Sequence, residues 1–196
     1  MRLNIIRHAE TEYNKLGKIQ GSEVDSDLND HGINQSVLFF NYYRNFNFQK
    51  IYVSGLKRTY QTVEKFIDIG IPYKKIDDFN EIGWGVNQGK NDDLHEYKSL
   101  TNSWKNGNLD NKFLNGESPN EMIIRLERGL NLILNDKLKN VLVCIHGRAL
   151  RILLSKIIDD DLSKMDQYDH SNTGMYVIDF DGKNFKLLES NLKIHL

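Results

Sequence analysis

A short, continuously apolar run late in the chain limits the fold most strongly. Val141–Ile145 is apolar and rich in β-branched residues, as expected of a strand buried on both faces of a parallel sheet. A second short apolar run, Leu3–Arg7, lies near the start. Ala149–Ile158 returns to helical spacing directly after the first run. The chain therefore predicts an α/β domain built around a parallel sheet.

Helical and strand patterns alternate between these two runs and beyond them. Helices are predicted at Ile33–Tyr43, Arg58–Ile69 and Pro119–Leu138, and strands at Ile51–Val53, Met175–Phe180 and Phe185–Leu188. The clearest helix start is Ser118, an N-cap followed by a proline and a capping-box glutamate. Asp181-Gly182 is a hairpin signal. These elements predict a three-layer α/β/α sandwich with a mostly parallel central sheet and an antiparallel edge strand.

The length and the loops indicate one domain with a small cap. A chain of 196 residues suits a single domain over 1–196. His8–Gly32 is predicted to be a long functional loop. The Asn- and Gly-rich segment 87–116, with one helix expected around Asp92–Trp104, does not fit the alternation and is predicted to cap the site. Four aromatic residues lie in or near this segment, and we expect them either to line a substrate pocket or to pack in the core: Trp84, Tyr97, Trp104 and Phe113.

Composition excludes several classes of function. With 26 Lys+Arg against 27 Asp+Glu, no overall field attracts nucleic acid or an anionic membrane. No apolar run approaches membrane-spanning length and no signal peptide is evident, so we expect a cytoplasmic protein.

The single cysteine excludes an internal disulfide. We expect no metal or cofactor, because four histidines without ligand spacing are predicted to be surface or loop residues: His31, His95, His170 and His195. A homodimer is compatible with the sequence.

Charged side chains follow three of the predicted strands. Arg7 and His8 end the first strand, His146 follows Val141–Ile145, and Arg58 comes shortly after the Ile51–Val53 strand. The carboxyl ends of parallel strands meet at one edge of a sheet, where ligands bind. Guanidinium groups donate paired hydrogen bonds to phosphate oxygens and keep their charge at working pH. The pattern therefore predicts a phosphate site.

A series of motifs, in order along nearly the whole chain, resembles those of the histidine phosphatase (phosphoglycerate mutase-like) superfamily. They are Arg7-His8-Ala9-Glu10-Thr11 with Asn14, Gln20-Gly21 through Asp27-Leu28 with Gly32 and Gln35, Ser54-Gly55-Leu56-Lys57-Arg58-Thr59, Asn80-Glu81-Ile82 with Gly89, Gly116-Glu117-Ser118 with Arg125, and Ile145-His146-Gly147 with Leu150-Arg151. Single motifs of this length occur by chance, but their shared order does not.

The resemblance implies a metal-independent phosphatase that acts through a phosphohistidine on a small phosphorylated metabolite. It makes His8 the nucleophile and Glu81 the acid and base. Arg7, Arg58 and His146 would hold the phosphoryl oxygens.

Four further residues are candidates for binding the substrate or its phosphate. They are Asn14, Gln20, Thr11 and Gly147, the last through its backbone.

Departures from the family pattern bear on the alternatives. Ile82 stands where mutases of this family carry an arginine, which favours hydrolysis over phosphoglycerate mutase activity. Gly55 stands where an acidic residue or proline is common, and we expect it to loosen its loop. A non-catalytic phosphate-binding regulatory module is a third hypothesis. A nucleophilic Cys144–His146 pair is conceivable, but the apolar run predicts that Cys144 is a small core residue.

Overall fold

A six-stranded sheet forms the centre of the molecule. The computed structural model describes residues 1–91 and 95–196. The strands are β1 (Arg2–Arg7), β2 (Lys50–Val53), β3 (Tyr73–Lys75), β4 (Asn140–Ile145), β5 (Met175–Phe180) and β6 (Phe185–Leu192). Their order is β3-β2-β4-β1-β5-β6. The first four in that order are parallel, and β5 and β6 are antiparallel. The predicted mostly parallel sheet with an antiparallel edge is confirmed.

Within residues 1–91 and 95–196, six α-helices surround the sheet. They are α1 (Glu12–Lys15), α2 (Asp30–Tyr43), α3 (Lys57–Asp68), α4 (His95–Lys105), α5 (Pro119–Asn135) and α6 (Gly147–Leu154). Short 3₁₀ segments occur at Asp77–Phe79, Gly85–Asn87 and Leu162–Gln167. Among the helices that the structure describes, none is long and apolar enough to cross a membrane.

Alternate residues of each central strand face opposite helical layers. In β4, Val143 and Ile145 join the core on the side of α5 and α6, while Leu142 and Cys144 join the core on the side of α2 and α3. In β1, Ile5 and Ile6 divide in the same way. Both faces of these strands are therefore buried, which explains their continuous apolar pattern.

Several elements depart from their predicted bounds. The loop His8–Gly32 contains α1, and α2 already starts at Asp30. The α5 helix ends at Asn135 rather than Leu138, and Lys137 beyond it takes a left-handed φ of 53°. The α6 helix ends at Leu154 and continues as a π-helical turn, Ser155–Asp159.

The edge strand β3 was not predicted. It consists of exposed Tyr-Lys-Lys residues that pair only with β2. Because an exposed edge strand has no buried face, it carries no alternating apolar pattern.

The segment 87–116 is anchored by aromatic packing. Trp104 of α4 is fully buried, and its Nε1–H donates to the carbonyl oxygen of Asn111 at 2.7 Å. The ring centroids of Trp84 and Trp104 lie 5.7 Å apart. The start of the helix predicted in this segment, residues 92–94, lies outside the described residues.

Candidate active site

Three strand ends meet at one edge of the sheet. His8 follows β1 and His146 follows β4, which is the parallel neighbour of β1. The backbone N–H of His8 donates to the carbonyl oxygen of Ile145 at 2.9 Å, so the two strand ends stay in register. The two imidazole rings lie 5.2 Å apart between centroids.

The ring of His8 is held in one tautomer. Its Nδ1 lies 2.7 Å from the carbonyl oxygen of Ala9. A carbonyl oxygen only accepts hydrogen bonds, so Nδ1 carries the proton and Nε2 keeps its lone pair. Burial, with the nearby charges of Arg58 and Arg7, lowers the pKa of His8 well below its ordinary value. The imidazole is therefore neutral, with Nε2 available as a nucleophile.

His146 has the opposite tautomer. Nε of Arg58 donates to Nδ1 of His146 at 3.1 Å, so the ring proton lies on Nε2, which is 2.7 Å from Oγ of Ser54. Burial, with Arg58, lowers the pKa of His146 well below its ordinary value. The sequence analysis missed Ser54, although it lies within the Arg58 motif and directly follows β2.

Arg7 is bound on one side only. Its Nη1 donates to the carbonyl oxygen of His170 at 2.8 Å. Its Nε is buried and has no hydrogen-bond partner within the described part of the chain. A Cβ at position 147 would lie 3.5 Å from that Nε and 3.3 Å from the His170 ring, so Gly147 gives both groups room. Burial lowers the pKa of Arg7 to about 10, which leaves it charged at neutral pH.

His170 lies in a loop, as predicted. It packs on Arg7 and lines the cavity rather than the free surface. Burial, with the charge of Arg7, lowers its pKa to about 3. A neutral ring at this point adds no positive charge to the guanidinium beside it.

Arg58 is fully buried at the start of α3. Its Nη1 donates to the carbonyl oxygen of Val24 at 2.5 Å, and its Nη2 lies 3.4 Å from the carbonyl oxygen of Gly21. Burial lowers its pKa to about 10. Arg58 and His146 do not line the cavity themselves, and the ring of His146 lies beside that of His8.

Glu81 faces the start of α6. Its Oε1 accepts hydrogen bonds from the backbone N–H groups of Ile82 and Ala149, at 2.9 and 3.0 Å. Its Oε2 accepts one from Arg148, at 3.0 Å. The bonds from Arg148 and Ala149 use backbone donors that the start of α6 leaves free. Within the described residues Oε2 accepts one such bond, and Glu81 lines the same cavity as His8.

Arg125 of α5 holds the segment that carries Glu81. Its guanidinium donates to the carbonyl oxygens of Asp78, Asn80 and Glu81 at 2.8, 2.7 and 3.2 Å. Two further bonds, both 2.7 Å, join it to the carboxylate of Glu117. The sequence analysis placed Arg125 in a motif but gave it no role.

Gly55 also fixes this segment. Its N–H donates to Oδ1 of Asn80 at 2.7 Å, and a Cβ at position 55 would lie 2.4 Å from Oδ1 of Asp77. The expectation that Gly55 loosens its loop was wrong, because glycine permits this close contact between the β2 end and the Glu81 segment.

The remaining predicted binding residues divide into two groups. Asn14, Gln20 and Gly147 line a cavity of about 270 Å³ with Arg7, His8 and Glu81. Thr11 is buried outside it, where its hydroxyl accepts the N–H of Asn14 as the N-cap of α1 and donates to Oε1 of Gln20.

Asn172 is a cavity residue that sequence reasoning missed. Its Nδ2 donates to the carbonyl oxygen of His8 at 2.8 Å and lies 3.4 Å from Oδ1 of Asn14. It sits shortly before β5, whose first residue, Met175, pairs with Ile6 near the end of β1. Because β5 is antiparallel to β1, it begins where β1 ends. The segment that precedes β5 therefore reaches the edge of the sheet that carries His8.

Two other residues lie away from the site. His195 was predicted at the surface or in a loop, but it is buried against Phe39 and Tyr43. Cys144 lies in the apolar core, and burial raises the pKa of its thiol. A buried, protonated thiol is a poor nucleophile.

The four aromatic residues in or near segment 87–116 divide into two pairs. Trp84 and Tyr97 line the cavity. Trp104 and Phe113 pack in the core beside them.

A larger cavity of about 830 Å³ lies at the opposite end of the sheet, where β1 and β4 begin. It contains no histidine or cysteine. The edge with His8 combines a neutral imidazole, buried guanidiniums and a carboxylate, which is the set that phosphoryl transfer requires.

Comparison with known proteins agrees with this chemistry. The family model described as histidine phosphatase superfamily (branch 1) matches residues 3–193. Phosphoserine phosphatase 1 of Hydrogenobacter thermophilus is 26% identical over 200 residues, covering 100% of this chain and 94% of that protein. The uncharacterized phosphatase PhoE of Bacillus subtilis is 29% identical over 195 residues, and the match covers 98% of this chain and 95% of that protein.

Solved structures share the architecture. The crystal structure of a phosphoserine phosphatase mutant from Entamoeba histolytica, in complex with phosphoserine, superposes with a TM-score of 0.88. It is 24% identical, and the match covers 100% of this chain and 98% of that one. At this identity the likeness establishes the fold.

Proposed function

The chain belongs to branch 1 of the histidine phosphatase superfamily, and on that basis we propose that it hydrolyses small phosphomonoesters through a phosphohistidine on Nε2 of His8. The observation that carries the proposal is the tautomer of His8. The bond from Nδ1 to Ala9, 2.7 Å long, leaves the Nε2 lone pair free inside a cavity that also contains Arg7 and Glu81.

In the first step the Nε2 lone pair attacks phosphorus and the bond from phosphorus to the ester oxygen breaks. Protonated Glu81 gives its proton to the leaving oxygen, which departs as an alcohol. Oε2 suits this task, because it accepts one backbone N–H whereas Oε1 accepts two. The products are phosphohistidine and the Glu81 carboxylate.

In the second step the Glu81 carboxylate takes a proton from water while the water oxygen attacks phosphorus. The bond between nitrogen and phosphorus breaks, and its electron pair returns to Nε2 of His8. Inorganic phosphate leaves, and Glu81 is protonated again. The cycle consumes one ester and one water.

Arg7 and Arg58 stabilise the charge that develops on the phosphoryl oxygens. Both are buried, so their charges act at low local dielectric. Among the residues that the structure describes, Nε of Arg7 is a donor without a protein acceptor. Asn14 and Gly147 lie at the cavity wall and complete the pocket. His146, whose ring lies 5.2 Å from that of His8, supports the nucleophile from outside the cavity.

The natural substrate is proposed to be a small phosphorylated metabolite. The cavity of about 270 Å³ suits a small molecule, and one relative is named for phosphoserine. We retain the single domain with segment 87–116 as its cap, the cytoplasmic location and the homodimer as predictions.

The proposal is tested by hydrolysis of an aryl phosphate with and without a chelator. We expect turnover that survives chelation and is inhibited by vanadate, which resembles the transferring phosphoryl group. His8→Ala should lose turnover, whereas His95→Ala, a change at an exposed histidine, should retain it. Equal rates in the two variants would refute the proposal.

A further inference from the structure

Arg148 places a second guanidinium at the cavity, in addition to that of Arg7. It lies beyond the residues that are proposed to bind the phosphate. Its side chain is 6% exposed, and the residue lines the cavity with His8 and Glu81. Nη1 donates to Oδ1 of Asp166 at 2.6 Å, and Nη2 lies 3.4 Å from the hydroxyl of Tyr97. The guanidinium also lies 5.3 Å from the ring centroid of Trp104. Packing and hydrogen bonds therefore fix its position.

The charge of Arg148 is only partly neutralised. Asp166 also accepts from Nη1 of Arg151, at 3.0 Å. Two guanidiniums thus share one carboxylate, and the group keeps one net positive charge. Tyr97, its other polar neighbour at the cavity, is a hydroxyl and brings no charge at neutral pH.

Arg148 stands on the side where the leaving group departs. Glu81 gives its proton to the ester oxygen, so the leaving group must extend past Glu81. The backbone N–H of Arg148 donates to Oε2 of Glu81 at 3.0 Å, so the Arg148 side chain starts next to that acid. Tyr97 of α4 also lines the cavity, with its hydroxyl 3.4 Å from Nη2 of Arg148. A group attached to the ester oxygen therefore meets Arg148 and Tyr97.

We propose that Arg148 and Tyr97 form a subsite for a carboxylate on the leaving group, so that the enzyme prefers phosphorylated acids over neutral phosphate esters. This rests on the proposed phosphatase function. A carboxylate carries one negative charge, which matches the single uncompensated charge of the Arg148, Arg151 and Asp166 group. The planar guanidinium can donate two parallel hydrogen bonds to it.

The test compares two substrates that differ only in the carboxylate, 3-phosphoglycerate and glycerol 1-phosphate. For the wild type we expect kcat/KM to be about tenfold or more higher for the acid, as for a site that pairs a charged substrate group. Arg148→Met should reduce this ratio about tenfold. Arg151→Met should reduce the ratio less than Arg148→Met does, because it removes the uncompensated charge but not the donor at the cavity. The control is Arg2→Met, which breaks an exposed pair with Asp179 away from the cavity and should leave the ratio within about twofold.

The outcomes separate the two proposals. Wild-type hydrolysis of both esters at equal kcat/KM would overturn the subsite and leave the phosphatase function standing. Equal losses on both esters in Arg148→Met would assign Arg148 a positioning role and also overturn the subsite. Failure of the wild type to hydrolyse any phosphomonoester, an aryl phosphate included, would refute the phosphatase function itself. If Arg148→Met does not fold, the ratio of kcat/KM for the acid to kcat/KM for the neutral ester is measured in the wild type and in Tyr97→Phe. A wild-type ratio near one, together with an unchanged ratio in Tyr97→Phe, contradicts the subsite.

Discussion

Nε of Arg58 donates to Nδ1 of His146 at 3.1 Å, and this bond decides which nitrogen of His146 carries the ring proton. The proton lies on Nε2, where Oγ of Ser54 accepts it at 2.7 Å. Both side chains are fully buried, so neither bond competes with solvent. The orientation of His146 beside the nucleophile thus depends on Ser54.

Ser54→Ala should lower kcat about tenfold with a smaller change in KM. One hydrogen bond to the imidazole is worth about 1 kcal/mol, and its loss lets the ring rotate and change tautomer. Steady-state kinetics with an alkyl phosphate measure the effect. Ser155→Ala is the matched control, because Ser155 is equally buried but bonds only to the carbonyl oxygen of Ile152. Equal losses in both variants would mean that Ser54 has only a packing role.

Glu81→Gln should remove the acidic proton while keeping the size and position of the side chain. We expect the rate of the first step, phosphoryl transfer to His8, to fall about 10²- to 10⁴-fold for an alkyl phosphate, whose leaving oxygen needs a proton. For an aryl phosphate with an acidic phenol, the fall should be much smaller, since that oxygen leaves unprotonated. Pre-steady-state rates for the two esters give the comparison. The same loss for both would contradict a proton-donating role.

Arg125→Met should free the segment that presents Glu81. Three carbonyl oxygens and the carboxylate of Glu117 lose their donor. We expect a loss of about 3 kcal/mol in the free energy of unfolding, as for a largely buried ion pair left without one partner. We also expect a fall in kcat larger than the change in KM, measured on folded protein. Arg128→Met, which breaks an exposed pair with Asp78, should change neither much. A normal kcat in Arg125→Met would show that the Glu81 segment holds its position unaided.

Acid should destabilise the protein through its buried histidines. Burial lowers the pKa of His170 to about 3 and of His195 to about 4, and lowers those of His8 and His146 as well. Below pH 6.5 the unfolded chain binds protons that the folded chain does not, so stability falls as the pH drops from about 6.5 towards 4. Each such histidine adds a slope of up to about 1.4 kcal/mol per pH unit.

Urea unfolding between pH 4 and pH 7 measures this slope. His195→Gln should make it shallower, because this residue lies in the core away from the catalytic groups. A slope that is the same in wild type and variant would show that His195 stays protonated in the fold or remains neutral in both states.

The sequence predicted the centre of the site better than its edges. His8, Arg58 and His146 each follow a strand of the parallel sheet, and a parallel sheet brings such ends together. His170 and Asn172 follow no parallel strand. They precede β5, and their place depends on its antiparallel pairing with β1, which their own residue types do not indicate.

Local chemistry explains the other discrepancies. Thr11 and Asn14 are three residues apart, the spacing of a helix N-cap, and the same side chains suit a phosphate loop. The structure puts Thr11 at the cap of α1 and leaves Asn14 at the cavity. Ile194 and Leu196, which flank His195, are exposed, so the local sequence does not indicate that His195 is buried. Its contacts with Phe39 and Tyr43 come from α2.

The central claim is that His8 carries the phosphoryl group during turnover. Rapid mixing of the enzyme with a ³²P-labelled ester, followed by alkaline quench, tests it directly. We expect label in the peptide that contains His8, stable to alkali and lost in acid, and appearing faster than free phosphate reaches its steady rate. Turnover by the wild type without label on His8, or label retained in His8→Asn, would contradict the account.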